Sequence, residues 1–263
     1  MIIAGGVLEK YFNQYTINSK KVNEQVLFKI LNKNKKCKYG KEYKSIKSIN
    51  EYKSKVPITN YASYEKYIEE MLIGEKNILF TEDVEYFGHT SGTTGKQKLV
   101  PVTKKSREVG SKYMALLLER FAYNNFKEQW NYGRGLMLAD TVMTTYSQGG
   151  VPICSATSGG MDSIKLILPK IYTSPYEVMK IKDKNTALYL HLLFALEDKN
   201  LTYISGVFIS NVLDALRVLE DNADLLVRDI RRGSINRNLN IDEDTRKKLN
   251  KYLRPNAGRA DEI

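Results

Sequence analysis

The stretch from Tyr86 to Thr103, YFGHTSGTTGKQKLVPVT, limits what this chain can be more than any other part of it. A hydrophobic approach runs into clustered Gly, Ser and Thr, and the chain leaves through Lys96 and Lys98 toward a proline. Gly92 and Gly95 free the backbone to aim successive N–H groups at one anion. Thr90, Ser91, Thr93 and Thr94 add hydroxyl donors with little bulk, and the lysines supply positive charge. A strand that ends in such a connection can hold phosphate. The spacing excludes two common versions. A P-loop places four residues between its first glycine and Gly-Lys-Ser/Thr, whereas two separate the glycines here and Gln97 follows Lys96. No Gly-x-Gly-x-x-Gly dinucleotide fingerprint occurs at this turn. The bland alternative is a tight strand connector with solvated lysines.

Periodicity places this turn in a fold. Val22, Val26, Leu27, Ile30 and Leu31 recur at helical spacing and predict an amphipathic helix over 21–33. Gly40 breaks the chain after it. Ser48 with Glu51 has the capping-box form and opens a short helix that Pro57 ends. Asn60 is expected to cap a second helix through Tyr64, Ile68 and Met71, stopped by Gly74. Residues 84–88 and 99–102 read as strands on either side of the turn, and 106–126 as one long helix. Beyond it, 135–139, 151–154 and 203–209 read as strands and 187–197, 212–219 and 242–253 as helices, leaving 254–263 trailing. The alternation from Val84 onward predicts an α/β fold with helices flanking a sheet. Residues 1–80 are expected to form a mostly helical lead-in and residues 81–263 the α/β part.

Composition narrows the partners. With 42% hydrophobic and 27% charged residues, 263 residues can bury a sizeable core. The formal charge of +11 invites a nucleic-acid reading, but nine of those charges come from residues 20–55, where twelve Lys face three Glu. They neither share one helical face nor form a block of five, so no nucleic-acid partner is expected. The N-terminal run MIIAGGVLEKYF lacks a basic flank and meets Glu9 too soon to span a membrane, so no membrane partner and a cytoplasmic setting are expected. Cys37 and Cys154 lie far apart without a ligand pattern, which predicts two free thiols and no protein-ligated metal. His191, inside YLHLLFAL, reads as a satisfied core residue. His89 either donates to a ligand or simply completes its strand. Tyr146 and Ser147, in the Gly/Ser-rich stretch TTYSQGGVPICSATSGG, either line an acyl-substrate pocket or belong to ordinary loops.

TSGTTGKQK resembles the phosphate loop of the adenylate-forming superfamily. The continuation KLVP, with Gln97 where proline is common and Leu99 where glycine is common, departs from acyl-CoA ligases. It is similar to the Gretchen Hagen auxin-responsive family, the acyl-acid amido synthetases. The upstream segment IKSINEYKSKVPITNYASYEKYIEEMLIGEKNILF carries the same likeness. The resemblance implies part of a large adenylating domain, a mixed sheet with flanking helices, and ATP with Mg²⁺ as cofactors. It implies a carboxylic acid activated as an acyl-adenylate and then transferred to an amine such as an amino acid. Carried over by position, Thr90 and Ser91 to Gly95 cradle the phosphates and Lys98 is the loop-end catalytic lysine. The family is about twice as long, and its Tyr-x-x-Ser-Glu segment, its ribose-gripping Asp and its small C-terminal domain have no counterpart here. The chain is therefore expected to be an N-terminal portion, weak or inactive in ligation alone. A truncated module that binds a nucleotide or a protein, or an acyl-CoA ligase, are the alternatives.

Overall fold

The computed structural model describes residues 1–90 and 97–263, with the side chain of each except Met114. The helices are α1 (Ile2–Ile17), α2 (Ser19–Asn34), α3 (Ile49–Lys55), α4 (Ala62–Leu72), α5 (Lys104–Ser111), α6 (Leu118–Asn125), α7 (Ala156–Ser163), α8 (Leu168–Ile171), α9 (Lys184–Glu197), α10 (Ile209–Arg232), α11 (Glu243–Asn250) and α12 (Ala257–Glu262). The strands are β1 (Val84–His89), β2 (Leu99–Thr103), β3 (Gly135–Leu138), β4 (Met143–Tyr146), β5 (Pro152–Ser155) and β6 (Tyr203–Gly206). The mixed α/β architecture is the expected one. Two compact units form, Met1–Lys127 with Met143–Ala156, and Glu128–Val142 with Thr157–Ile263.

In the first unit a four-stranded sheet runs in the order β2-β1-β5-β4. β1 is antiparallel to β2 and parallel to β5, and β5 is antiparallel to β4. Ile68 and Met71 of α4 pack with Ile78 and the fully buried Phe87 of β1 to form its core. The cap of α3 works reciprocally: Glu51 N donates to Ser48 Oγ, while the Glu51 carboxylate accepts from Lys47 N at 2.7 Å. Two expectations need correction. Asn60 does not cap α4; Tyr61 takes that position without a side-chain cap bond, and its hydroxyl serves β2 instead. The long helix begins at Lys104, because Thr103 forms a capping box with Ser106, and it contains a π-helical segment over Lys112–Leu117. α1, read from sequence only as a short apolar run, packs on that helix through Gly5, where a Cβ would lie 2.4 Å from the Leu116 carbonyl. The Arg120 guanidinium donates to Glu9 at 3.1 Å beside this contact. The predicted helix over 21–33 is present as α2, but Val26 and Ile30 are exposed, so its apolar stripe is only partly covered.

The second unit is built on α9. Leu188 to Ala195 are buried all round the helix, among β3, α10 and the residues before it. Asp183 caps α9 by accepting from Thr186 N at 2.8 Å. His191 is 3% exposed and hydrogen-bonded to Ser174 Oγ at 2.7 Å, and burial pushes its pKa down to about 4. It is a satisfied core residue, as expected. β3 and β6 pair in parallel. β6 ends at Gly206, shorter than predicted, and α10 is far longer than 212–219, with a non-helical Asn222 whose side chain bonds the Val218 carbonyl at 2.9 Å. α10 stops at Gly233, whose φ of +63° is the left-handed cap that favours glycine. The tail expected to trail off forms α12, which packs against α10 and is capped by Asn256. Both cysteines are buried and neither is in a disulfide.

Candidate phosphate-loop site

β1 and β2 carry the two ends of the glycine-rich segment. His89 pairs with Leu99 at the end of the ladder. One step beyond, Thr90 N donates to the Lys98 carbonyl at 3.0 Å, and Lys98 N donates to Thr90 Oγ1 at 3.3 Å. Thr90 and Lys98, both expected at the site, are thus brought together. Ser91, Gly92, Thr93, Thr94 and Gly95, with Lys96, lie outside the described residues.

The exit of the segment is clamped from outside the sheet. β2 is an edge strand, and an edge leaves backbone groups unpaired. The Tyr61 hydroxyl answers both groups of Leu99: it accepts from Leu99 N at 2.9 Å and donates to Leu99 O at 3.0 Å. The Lys98 ammonium stands 5.5 Å from the centre of the same ring, within cation–π range. One tyrosine therefore fixes the backbone after Lys98 and the resting place of its charge. Sequence reasoning missed Tyr61; the density of tyrosines just ahead of the glycine-rich segment was the available signal.

The segment also leaves from the carboxyl end of a parallel pair. β1 and β5 run together, with His89 opposite Ser155. In open α/β sheets this end is where ligands bind. His89 Nε2 lies 3.4 Å from Thr144 Oγ1, so Thr144 of β4 joins this end of the sheet. Tyr146 and Ser147 do not. Tyr146 pairs with Pro152, three residues or about 10 Å down β5 from Ser155. Ser147 is committed to its own turn, with its N–H donating to the Val151 carbonyl and its Oγ accepting from Val151 N. Tyr146 is 63% exposed at that far end.

Two groups toward the amino end of β1, four and three residues before His89, are already occupied. Glu85 accepts from Arg107 at 2.6 Å, which holds the guanidinium pKa above its ordinary value and neutralises the carboxylate. Burial pushes the Tyr86 phenol up, with the Cys154 thiol as the next cause, and its hydroxyl donates to the Ala156 carbonyl at 3.3 Å. Among the described residues, the Lys98 ammonium, the Thr90 hydroxyl and the His89 imidazole stand at the carboxyl end as groups able to donate to an anion.

A profile of the GH3 family N-terminal domain matches residues 8–263. A relative described as probable indole-3-acetic acid-amido synthetase GH3.11, from Oryza sativa subsp. japonica, is 28% identical over 98% of this chain and 45% of its own length. Jasmonoyl–L-amino acid synthetase JAR6 of Nicotiana attenuata is 28% identical over 96% of this chain and 44% of its own. The structure of a GH3.15 acyl acid amido synthetase superposes with a TM-score of 0.84 at 22% identity, covering 98% of this chain and 46% of that one, and a second such structure holds 2,4-DB. The chain spans about 45% of the length of these relatives. The match runs through the strand pair, the clamp and the helices that surround them, and by it the chain belongs to the GH3 family, as that family's N-terminal domain.

Proposed function

We propose that this chain supplies the phosphate-binding part of an ATP-dependent acid–amine ligase. In that reaction a carboxylate oxygen attacks the α-phosphorus of ATP and pyrophosphate leaves, giving an acyl-adenylate. An amine then attacks the acyl carbon and AMP departs. Residues 91–95 present backbone and hydroxyl donors to the triphosphate, the Thr90 hydroxyl extends that set, and Lys98 offsets the repulsion between the attacking carboxylate and the phosphates. Among the described residues no three His, Cys, Asp or Glu side chains converge as metal ligands. Mg²⁺ would come with the nucleotide and neutralise phosphate charge. The substrates follow from the relatives: a small organic acid and an amine, with the relatives' own names pointing to amino acids.

The observation that carries this reading is the clamp of Tyr61 on Leu99 combined with the Thr90–Lys98 pairing. It holds Thr90 and Lys98, which flank residues 91–96 in sequence, at the carboxyl end of a parallel strand pair. Lys98→Ala is expected to weaken binding of a fluorescent ATP analogue at least about tenfold, the loss of one charge-assisted contact. Unchanged affinity refutes the assignment. Acid-dependent exchange of labelled pyrophosphate into ATP is expected from a family-length relative and weak or absent with these residues alone. No exchange from either, with any carboxylic acid, ends the ligase reading.

A further inference from the structure

We propose that the second unit holds a separate site for a small phosphate-bearing anion, in a cavity of about 630 Å³ where the end of α10 meets the loop leading to α11. This inference does not depend on the ligase reading. The sequence has eleven arginines. Nine donate to a carboxylate or a backbone carbonyl. Arg232 and Arg237 are the other two: both line this cavity, both are exposed, and neither has a hydrogen bond or ion pair among the described residues. Arg228 lines it too and spends only its Nε, on the Asp224 carbonyl at 3.2 Å.

The carboxylates of the cavity are already engaged. Asp229, whose field reaches Arg232 and Arg228, accepts from Tyr189 Oη at 2.9 Å and Asn236 N at 2.7 Å. Glu243 accepts from Arg246 Nε at 3.1 Å. Four guanidiniums against two carboxylates leave the lining net positive. Arginines in the last turn of α10 answer the helix dipole, which accounts for Arg232 by itself. It does not account for Arg237, which lies past the helix in the loop.

That loop is braced before any ligand arrives. Arg246, 7% exposed, donates to the carbonyls of Asn236 (2.6 Å), Arg237 (3.3 Å) and Leu239 (2.8 Å). Asn250 Oδ1 accepts from Ile235 N at 2.9 Å. A fixed backbone that carries free guanidiniums loses little order on binding, and the guanidinium fork matches phosphate oxygens in pairs. The volume suits an organic phosphate of mononucleotide size.

The test is an amide-shift titration of the ¹⁵N-labelled chain with inorganic pyrophosphate, in a Lys98→Ala background so that the phosphate loop does not contribute. Shifts are expected at residues 228–250, and Arg232→Gln with Arg237→Gln should weaken the apparent affinity at least tenfold. Raising salt from 50 to 200 mM should weaken it further. Both arginines are exposed, so a thermal melt within about 2 °C of the parent checks the fold. Arg237→Gln alone, in the loop, serves if the double variant melts early. No shift in 228–250 at millimolar pyrophosphate, or undiminished affinity in the arginine variants, overturns the site.

Discussion

Tyr61→Phe isolates the clamp on Leu99, behind the glycine-rich segment. The substitution keeps the ring, and with it the packing against α4 and the contact with Lys98, and removes only the hydroxyl. Two hydrogen bonds are lost, from Leu99 N at 2.9 Å and to Leu99 O at 3.0 Å. Each contributes about 0.5–1.5 kcal/mol net. Because β2 is an edge strand, water can reach the freed groups, which places the total near the lower half of that range, about 1–2 kcal/mol. Urea unfolding should show that loss in its midpoint with an unchanged slope, and the melting temperature should fall by about 3–6 °C. Nucleotide affinity should fall as well, by about three- to tenfold, because no hydroxyl holds Leu99, the backbone just behind Lys98. Stability intact within about 0.3 kcal/mol would show that the two bonds contribute nothing net. A stability loss with full nucleotide affinity would sink the clamp reading while leaving the fold untouched.

Other substitutions test the frame around it. His191 is neutral in the folded state, with its pKa lowered to about 4 by burial, whereas the unfolded imidazole protonates near 6.5. Unfolding therefore takes up a proton between those values, so stability is full above pH 6.5 and should decline by on the order of 3 kcal/mol as pH falls to 4. Urea titrations across that window should show the slope, and His191→Asn should flatten it. Gly233→Ala should cost about 2–4 kcal/mol, since φ is +63° and a Cβ would meet Arg254 C and Pro255 N at 2.2 Å. Gly5→Ala should lift α1 from the Leu116 carbonyl and speed hydrogen exchange through Ile2–Ile17 while leaving β1 amides protected.

The sequence made some features legible and hid others for physical reasons. β1, β2, β3, β5 and α9 were readable because their apolar runs end at strong punctuation, such as Gly, Pro or the Asp183 cap. β4 was not: MTTY has one half-buried and three exposed residues, so no alternation marks it, and pairing with β5 alone makes it a strand. α1 was hidden because its burial is set by one close approach at Gly5, a residue that argues against a helix when read locally. α10 outran its prediction because Asn222 interrupts the periodicity while its side chain repairs the break. At the candidate site, Thr90 was named from its hydroxyl in the glycine-rich turn and Lys98 from the resemblance to a family loop, and the two are joined by two hydrogen bonds. Tyr61 and Thr144 come from 38 and 55 positions away from the groups they bond, a distance no motif reaches.

The wide turn over Lys112–Leu117 makes chain length there a matter of phase. A π-helical stretch holds one residue more than the α-helical path it replaces, and each residue of an α-helix advances the side-chain direction by about 100°. Deleting a single residue between Lys112 and Leu117 would let the stretch relax to plain α-helix along the same path, so Arg120 would still face Glu9. The same deletion in an α-helical part would swing everything after it by that angle. A one-residue gap at this stretch in a relative therefore leaves the faces beyond it in phase, and side chains there should be matched across the family by direction before they are matched by number.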